Sequence, residues 1–139
     1  MTRLIVSLVA ATALALGAPQ ERPDVQRPAV IAIKFHADWC GSCKAMGSVF
    51  TDLADKYDTQ PVLFVTLDQT TDSDRRQSEY LASALACEDI WREHGGKTGF
   101  VLLVDAANRQ VLSTLTKDDD IKAMGSALVE AVQQVSATR

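Results

Sequence analysis

The sequence predicts an α/β fold, a four-stranded mixed β-sheet built as βαβ followed by ββα, with helices on both faces. Three observations carry that prediction. Two β-branched apolar runs, residues 29–35 and 62–67, flank a stretch whose apolar residues recur at steps of three and four. Two further runs, residues 100–104 and 110–116, are separated only by the short turn 106–109, the pattern of an antiparallel hairpin. A last apolar stripe, Ile121, Met124, Leu128, Val132 and Val135, falls at helical spacing. A chain of 139 residues, 47% hydrophobic and 23% charged, suits one domain with a real core.

In chain order, the first element is the run 29–35, read as a mostly buried strand. From Cys40 the pattern turns helical, with Met46, Val49, Phe50, Leu53, Ala54 and Tyr57 on one stripe, until Asp58 to Pro61 ends it. The strand 62–67 follows, and a strand–helix–strand connection makes it parallel to the first. Residues 69–74 read as a polar loop and residues 75–94 as one helix. Its apolar face is Tyr80, Leu81, Ala84, Leu85, Cys87, Ile90 and Trp91, and Gly95-Gly96 stops it. The two hairpin strands come next, then a helix opening near Asp118 or Asp119, acidic residues suited to a helix start.

The N-terminus has its own character. Arg3 precedes an apolar run, residues 4–16, that exits through Ala15, Gly17 and Ala18. A basic start, a short apolar stretch and small residues predict a secretory signal over residues 1–18, too short for a membrane span of ~20 apolar residues. Residues 19–28, with Pro19, Pro23 and Pro28, read as a flexible leader, and residues 29–139 as the folded domain. The expectation is an exported protein, periplasmic or extracellular, monomeric and without a stable span after processing. That compartment permits disulfides. The net charge of −4 argues against nucleic acid as a partner. Three cysteines cannot close into a static disulfide scaffold.

The chemistry concentrates at Trp39-Cys40-Gly41-Ser42-Cys43-Lys44. Cys40 stands where a strand ends and a helix begins. The first N–H groups of a helix lack internal partners there, and negative charge is favoured. A thiol so placed is acidified, and the thiolate is the reactive form. Cys43 follows one turn later on the same face, close enough to bond to Cys40, a spacing suited to two-step thiol–disulfide exchange. Gly41 and Ser42 allow the tight turn, and Trp39 shelters one side of the sulfur.

This segment resembles the active-site motif of the thioredoxin-like thiol-disulfide oxidoreductases. The resemblance implies a thioredoxin-like fold, Cys40 as nucleophile, Cys43 as resolving thiol, a reversible Cys40–Cys43 disulfide and Trp39 as a wall. It also implies protein thiols and disulfides as partners, an upstream electron donor or acceptor, and no cofactor or resident metal. Three departures from the family pattern stand out. No proline follows Pro61, so the family's proline opposite the dithiol is replaced, at Thr98-Gly99, by glycine. A cis bond before a non-proline residue costs about 2.5–4 kcal/mol, so a trans peptide is expected, with open space beside the sulfurs. Lys34 occupies the position of the family's buried aspartate; it either favours thiolate or snorkels to the sheet edge. The long segment between the second and third strands carries Cys87, either an inert core residue or a further thiol.

A reading from another class is a metal-binding protein or metallochaperone. Cys40 and Cys43 would then be soft ligands for Cu(I) or Zn, completed by His36 and by Cys87 or His94. Against it stand the lack of a second CxxC and of any His-rich stretch.

Overall fold

A computed structural model describes residues 27–138. The expected signal segment 1–18 and nearly all of the leader 19–28 lie outside the described residues. Strand β1 (Val30–His36) is the spine of the fold. Its alternating side chains feed two cores, Val30 and Ala32 on one face and Ile31, Ile33 and Phe35 on the other. Two short helices follow, α1 (Gly41–Met46) and α2 (Val49–Lys56), and then β2 (Val62–Asp68). Next come α3 (Asp72–Ala84), α4 (Glu88–His94), β3 (Phe100–Asp105), β4 (Val111–Thr116) and α5 (Ile121–Ala137).

The sheet order is β2-β1-β3-β4, with β1 parallel to β2 and the other two pairs antiparallel. The predicted four-stranded mixed sheet is what forms. Helices α1, α2 and α5 cover one face through Met46, Phe50, Leu53, Met124, Leu128 and Val132. Helices α3 and α4 cover the other through Ala82 and Ile90, against Phe35, Leu67 and Leu102. Phe35 is wholly buried, and such a side chain contributes about 1.5–3 kcal/mol. Among the described residues no helix is long and apolar enough to cross a membrane.

Two long helices expected from periodicity are each broken. The stretch after Cys40 stops at Gly47, whose φ of 53° leaves the helical region while its N–H still bonds the carbonyls of Cys43 and Lys44. The second breaks after Ala84. Ala86 adopts φ 55°, and the Cys87 N–H reaches back to the Ala82 carbonyl at 2.8 Å. An alanine here takes a left-handed conformation usually left to glycine, at a cost of about 1–2 kcal/mol. Arg109, itself at φ 64°, donates from Nε to the Leu85 carbonyl at 2.7 Å and closes that break.

The break corrects the expected apolar face. A single helical phase cannot run through 75–94, so Tyr80 and Leu81 stand 66% and 40% exposed, Ala84 is exposed, and Ser78 and Ala82 are buried instead. Helix α3 also starts earlier than expected, because Thr71 and Asp74 form a reciprocal capping box inside the segment read as loop. The last helix is capped one residue later than expected, by Asp120, whose carboxylate accepts the Ala123 N–H at 2.7 Å.

Candidate dithiol site

Cys40 is the N-cap of α1, in extended backbone (φ −81°, ψ 117°), so its side chain turns back over the opening turn. Its Sγ accepts the Cys43 N–H at 3.1 Å. Cys40 and Cys43 are 7% and 3% exposed and form a small cluster with Ala37. Both are free thiols, as is Cys87.

The two thiols are driven apart electrostatically. Burial pushes Cys40 up, but donors converge on its sulfur: the Cys43 thiol, the Thr98 hydroxyl, and the N–H groups of Cys43 and Ser42. The net result is a Cys40 thiol more acidic than usual. For Cys43, burial dominates and its own hydrogen bond to Cys40 adds to it, so the thiol is held above its usual range. The Ala37 N–H and the Lys34 charge pull the other way without prevailing. The Cys43 thiol also points at the Phe35 carbonyl, 3.8 Å away. The outcome is a more acidic thiol at Cys40 and a less acidic one behind it.

Lys34 is half-buried on the β1 face that packs against α2, with Nζ 5.7 Å from the Phe50 ring centroid. Its ammonium therefore lies on the side of the sheet that carries the dithiol helix. Trp39 is 62% exposed, and its indole N–H donates to the Thr70 carbonyl at 3.2 Å. Gly41 is exposed and Ser42 half-buried at the first turn.

The Thr98–Gly99 peptide is trans, and Gly99 has φ 91°. The open space expected beside the sulfurs is not there. A Cβ on Gly99 would stand 2.6 Å from the Ser42 Cβ and 3.2 Å from the Cys40 Sγ. With no side chain to hold it off, the backbone closes in, and the Gly99 N–H donates to the Phe35 carbonyl at 2.8 Å. Glycine is required here twice, by its positive φ and by this approach.

The residues suggested as extra metal ligands are dispersed. Cys87 belongs to the core on the opposite face, where its thiol points at the Leu85 carbonyl at 3.6 Å. Burial raises it above the usual thiol range despite the nearby Arg109. His94 packs against Phe35 and Phe100, ring centroids 5.9 and 5.7 Å apart. His36 turns to Asp38, Nε2 to Oδ1 3.2 Å. Among the described residues no three His, Cys, Asp or Glu side chains gather to hold a metal ion.

Asp68 follows the expected strand 62–67 and is the last residue of β2, and Gln69 and Thr70 open the segment expected as a polar loop. They lie beside the site. The available signal was positional: ligand and active-site crevices open at the carboxyl ends of parallel strands, and these residues end the strand beside β1.

Residues 22–83 match the family model for thioredoxin. Over 41 residues, 29% of this chain and 8% of the relative, the sequence is 44% identical to protein disulfide-isomerase 1 of Caenorhabditis elegans. Over 45 residues, 32% of this chain and 42% of the relative, it is 36% identical to thioredoxin of Coprinus comatus. The matches thus span less than half of either curated relative. One structural neighbour is a secreted Mycobacterium tuberculosis disulfide oxidoreductase homologous to E. coli DsbE, at 14% identity over 76% of this chain and 84% of that one, TM-score 0.50. Another is a putative thiol:disulfide interchange protein DsbE from Chlorobium tepidum, at 18% identity over 77% and 82%, TM-score 0.53. At such identities these neighbours speak for the fold. The matched segment contains the strand, the dithiol and the helices that follow, and the fold is that of the thioredoxin-like proteins.

Proposed function

We propose that the protein is an exported thiol-disulfide oxidoreductase that exchanges disulfides with protein partners through Cys40 and Cys43. The observation that carries this reading is the placement of the two sulfurs: Cys40 caps α1 with its Sγ accepting the Cys43 N–H at 3.1 Å, which acidifies it, while Cys43 lies buried one turn behind and less acidic. The Cys40 thiolate attacks one sulfur of a partner disulfide. The partner's S–S bond breaks, a mixed disulfide forms, and the departing partner thiolate takes a proton from water. Cys43 then loses its proton to solvent and attacks the Cys40 sulfur. The second partner thiolate leaves and is protonated, and the Cys40–Cys43 disulfide remains. The partner gains two electrons and two protons; the reverse sequence oxidises a dithiol partner. An upstream donor or acceptor resets the pair.

Each site residue has a part in this scheme. Thr98 donates to the Cys40 sulfur, Gly99 and Ser42 close its flank, Gly41 opens the helix, and Trp39 walls the entrance. Lys34 favours the Cys43 thiolate at the resolving step. Export is supported by the apolar N-terminal run with its small-residue exit, and by the secreted M. tuberculosis neighbour. The protein works as a monomer on protein thiols, with no cofactor. The test is insulin reduction together with a redox titration of the dithiol, in wild type and Cys40→Ala. Wild type that neither forms the disulfide nor reduces insulin ends this reading.

A further inference from the structure

The dithiol has two walls, Asp38–Trp39 on one side and Thr98–Gly99 on the other, and both are tied to the same three residues. Thr70 serves the first wall. Its hydroxyl accepts the Asp38 N–H at 3.0 Å, and its carbonyl accepts the Trp39 indole N–H at 3.2 Å. Thr70 is itself held by Asp68, whose Oδ1 accepts both its N–H, at 2.8 Å, and its hydroxyl. The Asp68 carbonyl accepts the Ser78 hydroxyl at 2.7 Å, which anchors the turn to α3.

Gln69 serves the second wall. It is one of two buried polar residues among those described, 6% exposed, and both ends of its amide are used. Its Nε2 donates to the Lys97 carbonyl at 2.9 Å, and its Oε1 accepts the Gly96 N–H at 2.6 Å. Its own N–H donates to the His36 carbonyl at 2.8 Å, fixing it to the end of β1. The loop it holds runs from Gly95 to Gly99, with Gly96 and Gly99 both at positive φ. Glycine-rich backbone loses the most freedom on ordering, so this loop needs an outside hold. A buried amide with donor and acceptor both satisfied supplies one, and its loss leaves two backbone groups unpaired.

We propose that Asp68-Gln69-Thr70 is a brace that sets the gap between the two walls. Gln69 is the positioning residue for Thr98–Gly99, and Thr70 the positioning residue for Trp39. What the walls do for partners rests on the oxidoreductase reading; the brace itself rests on the hydrogen bonds. Releasing Gln69 lets the 95–99 loop drift, so Thr98–Gly99 moves off the Cys40 sulfur, against which Gly99 packs, and the cleft beside it widens. Releasing the Thr70 hydroxyl frees the Asp38–Trp39 corner while the Thr98 side stays in place.

Reduced full-length protein is titrated by thiolate ultraviolet absorbance, assigned to Cys40 by its loss in Cys40→Ala, and insulin reduction is measured alongside. Gln69→Leu, close in size and without hydrogen bonds, is expected to move the Cys40 titration upward and raise KM for insulin about three- to tenfold, the effect of one or two lost hydrogen bonds. Gln69→Glu keeps the acceptor for Gly96 but not the donor to Lys97, and is expected to show the same shift in smaller measure. Thr70→Val is expected to raise KM with the Cys40 titration unmoved, and Thr70→Ser, which keeps the hydroxyl, to restore KM. Gln69→Leu that lowers Tm but leaves titration and KM at wild-type values overturns the proposal, since Gln69 is then a strut for the fold alone. If Gln69→Leu does not fold, a wild-type Cys40 titration in Gln69→Glu overturns it equally. Inactive wild type ends the oxidoreductase reading, whereas a Cys40 titration unmoved in the Gln69 variants ends the brace whatever the activity.

Discussion

Cys40 and Cys87 occupy the same formal position. Each is the N-cap of a short helix, α1 and α4 respectively, and each is buried, 7% and 1% exposed. Yet Cys40 is acidified and Cys87 is pushed the other way. The difference lies in which way hydrogen bonds run. Extended backbone at Cys40 folds its sulfur over the helix opening, where it receives N–H groups. At Cys87, φ −112° and ψ 27° leave the cap without a side-chain bond, and the sulfur faces a carbonyl instead. Burial then prevails even against the Arg109 charge. A helix start does not by itself make a reactive thiol; a sulfur that collects donors does.

The largest effect that sharpens this contrast is loss of function. Cys40→Ala takes insulin reduction to background, whereas Cys87→Ala leaves its rate unchanged. A Cys87→Ala protein as inactive as Cys40→Ala breaks the comparison. Next comes Gly99→Ala, which must place a Cβ against Ser42 and the Cys40 sulfur at positive φ. Urea unfolding is expected to show about 1–3 kcal/mol of destabilisation, the cost of such strain, together with slower exchange. Wild-type stability and rate in that variant contradict the tight flank.

Smaller still is the stability effect at Cys87. Its truncation removes a buried side chain, for a loss of about 1–2 kcal/mol at neutral pH. The folded-state thiol is raised, so its contribution is fully present below the ordinary thiol value and is lost as pH rises through the raised value. The gap between wild type and Cys87→Ala in urea melts therefore narrows in alkali; a gap that widens there gives the wrong sign. The smallest effect belongs to Lys34→Met. Removing a half-buried charge that only partly offsets burial of Cys43 is expected to slow resolution of a preformed mixed disulfide about two- to threefold. A faster resolution in that variant removes Lys34 from the scheme.

The strands and their order were legible because apolar runs and a tight turn are local signals. The dithiol was legible because its position at a strand–helix junction shows in the pattern itself. The helix breaks at Gly47 and Ala86 were not, because periodicity carries on through a one-residue change of φ, and Ala86 has none of the usual marks of a stop. At Gly99 the expected open space is taken up by backbone, since a Cβ there would meet Ser42 and the Cys40 sulfur: a missing ring does not leave a hole when backbone can occupy it. Gln69 and Thr70 were hidden because their partners, Lys97 and Trp39, lie about thirty residues away; the parallel pairing of β1 with β2 brings Thr70 to Trp39, and the antiparallel pairing of β3 with β1 brings Lys97 to Gln69.

Competitive alkylation of the reduced, folded protein tests the central contrast most directly, with mass spectrometry reading Cys40, Cys43 and Cys87 separately across pH. Cys40 is expected to label first, with a rate that levels off below the ordinary thiol value of 9.0. Cys87 should stay unlabelled until the protein is unfolded. Labelling of Cys87 at the rate of Cys40 in the folded protein would contradict the account.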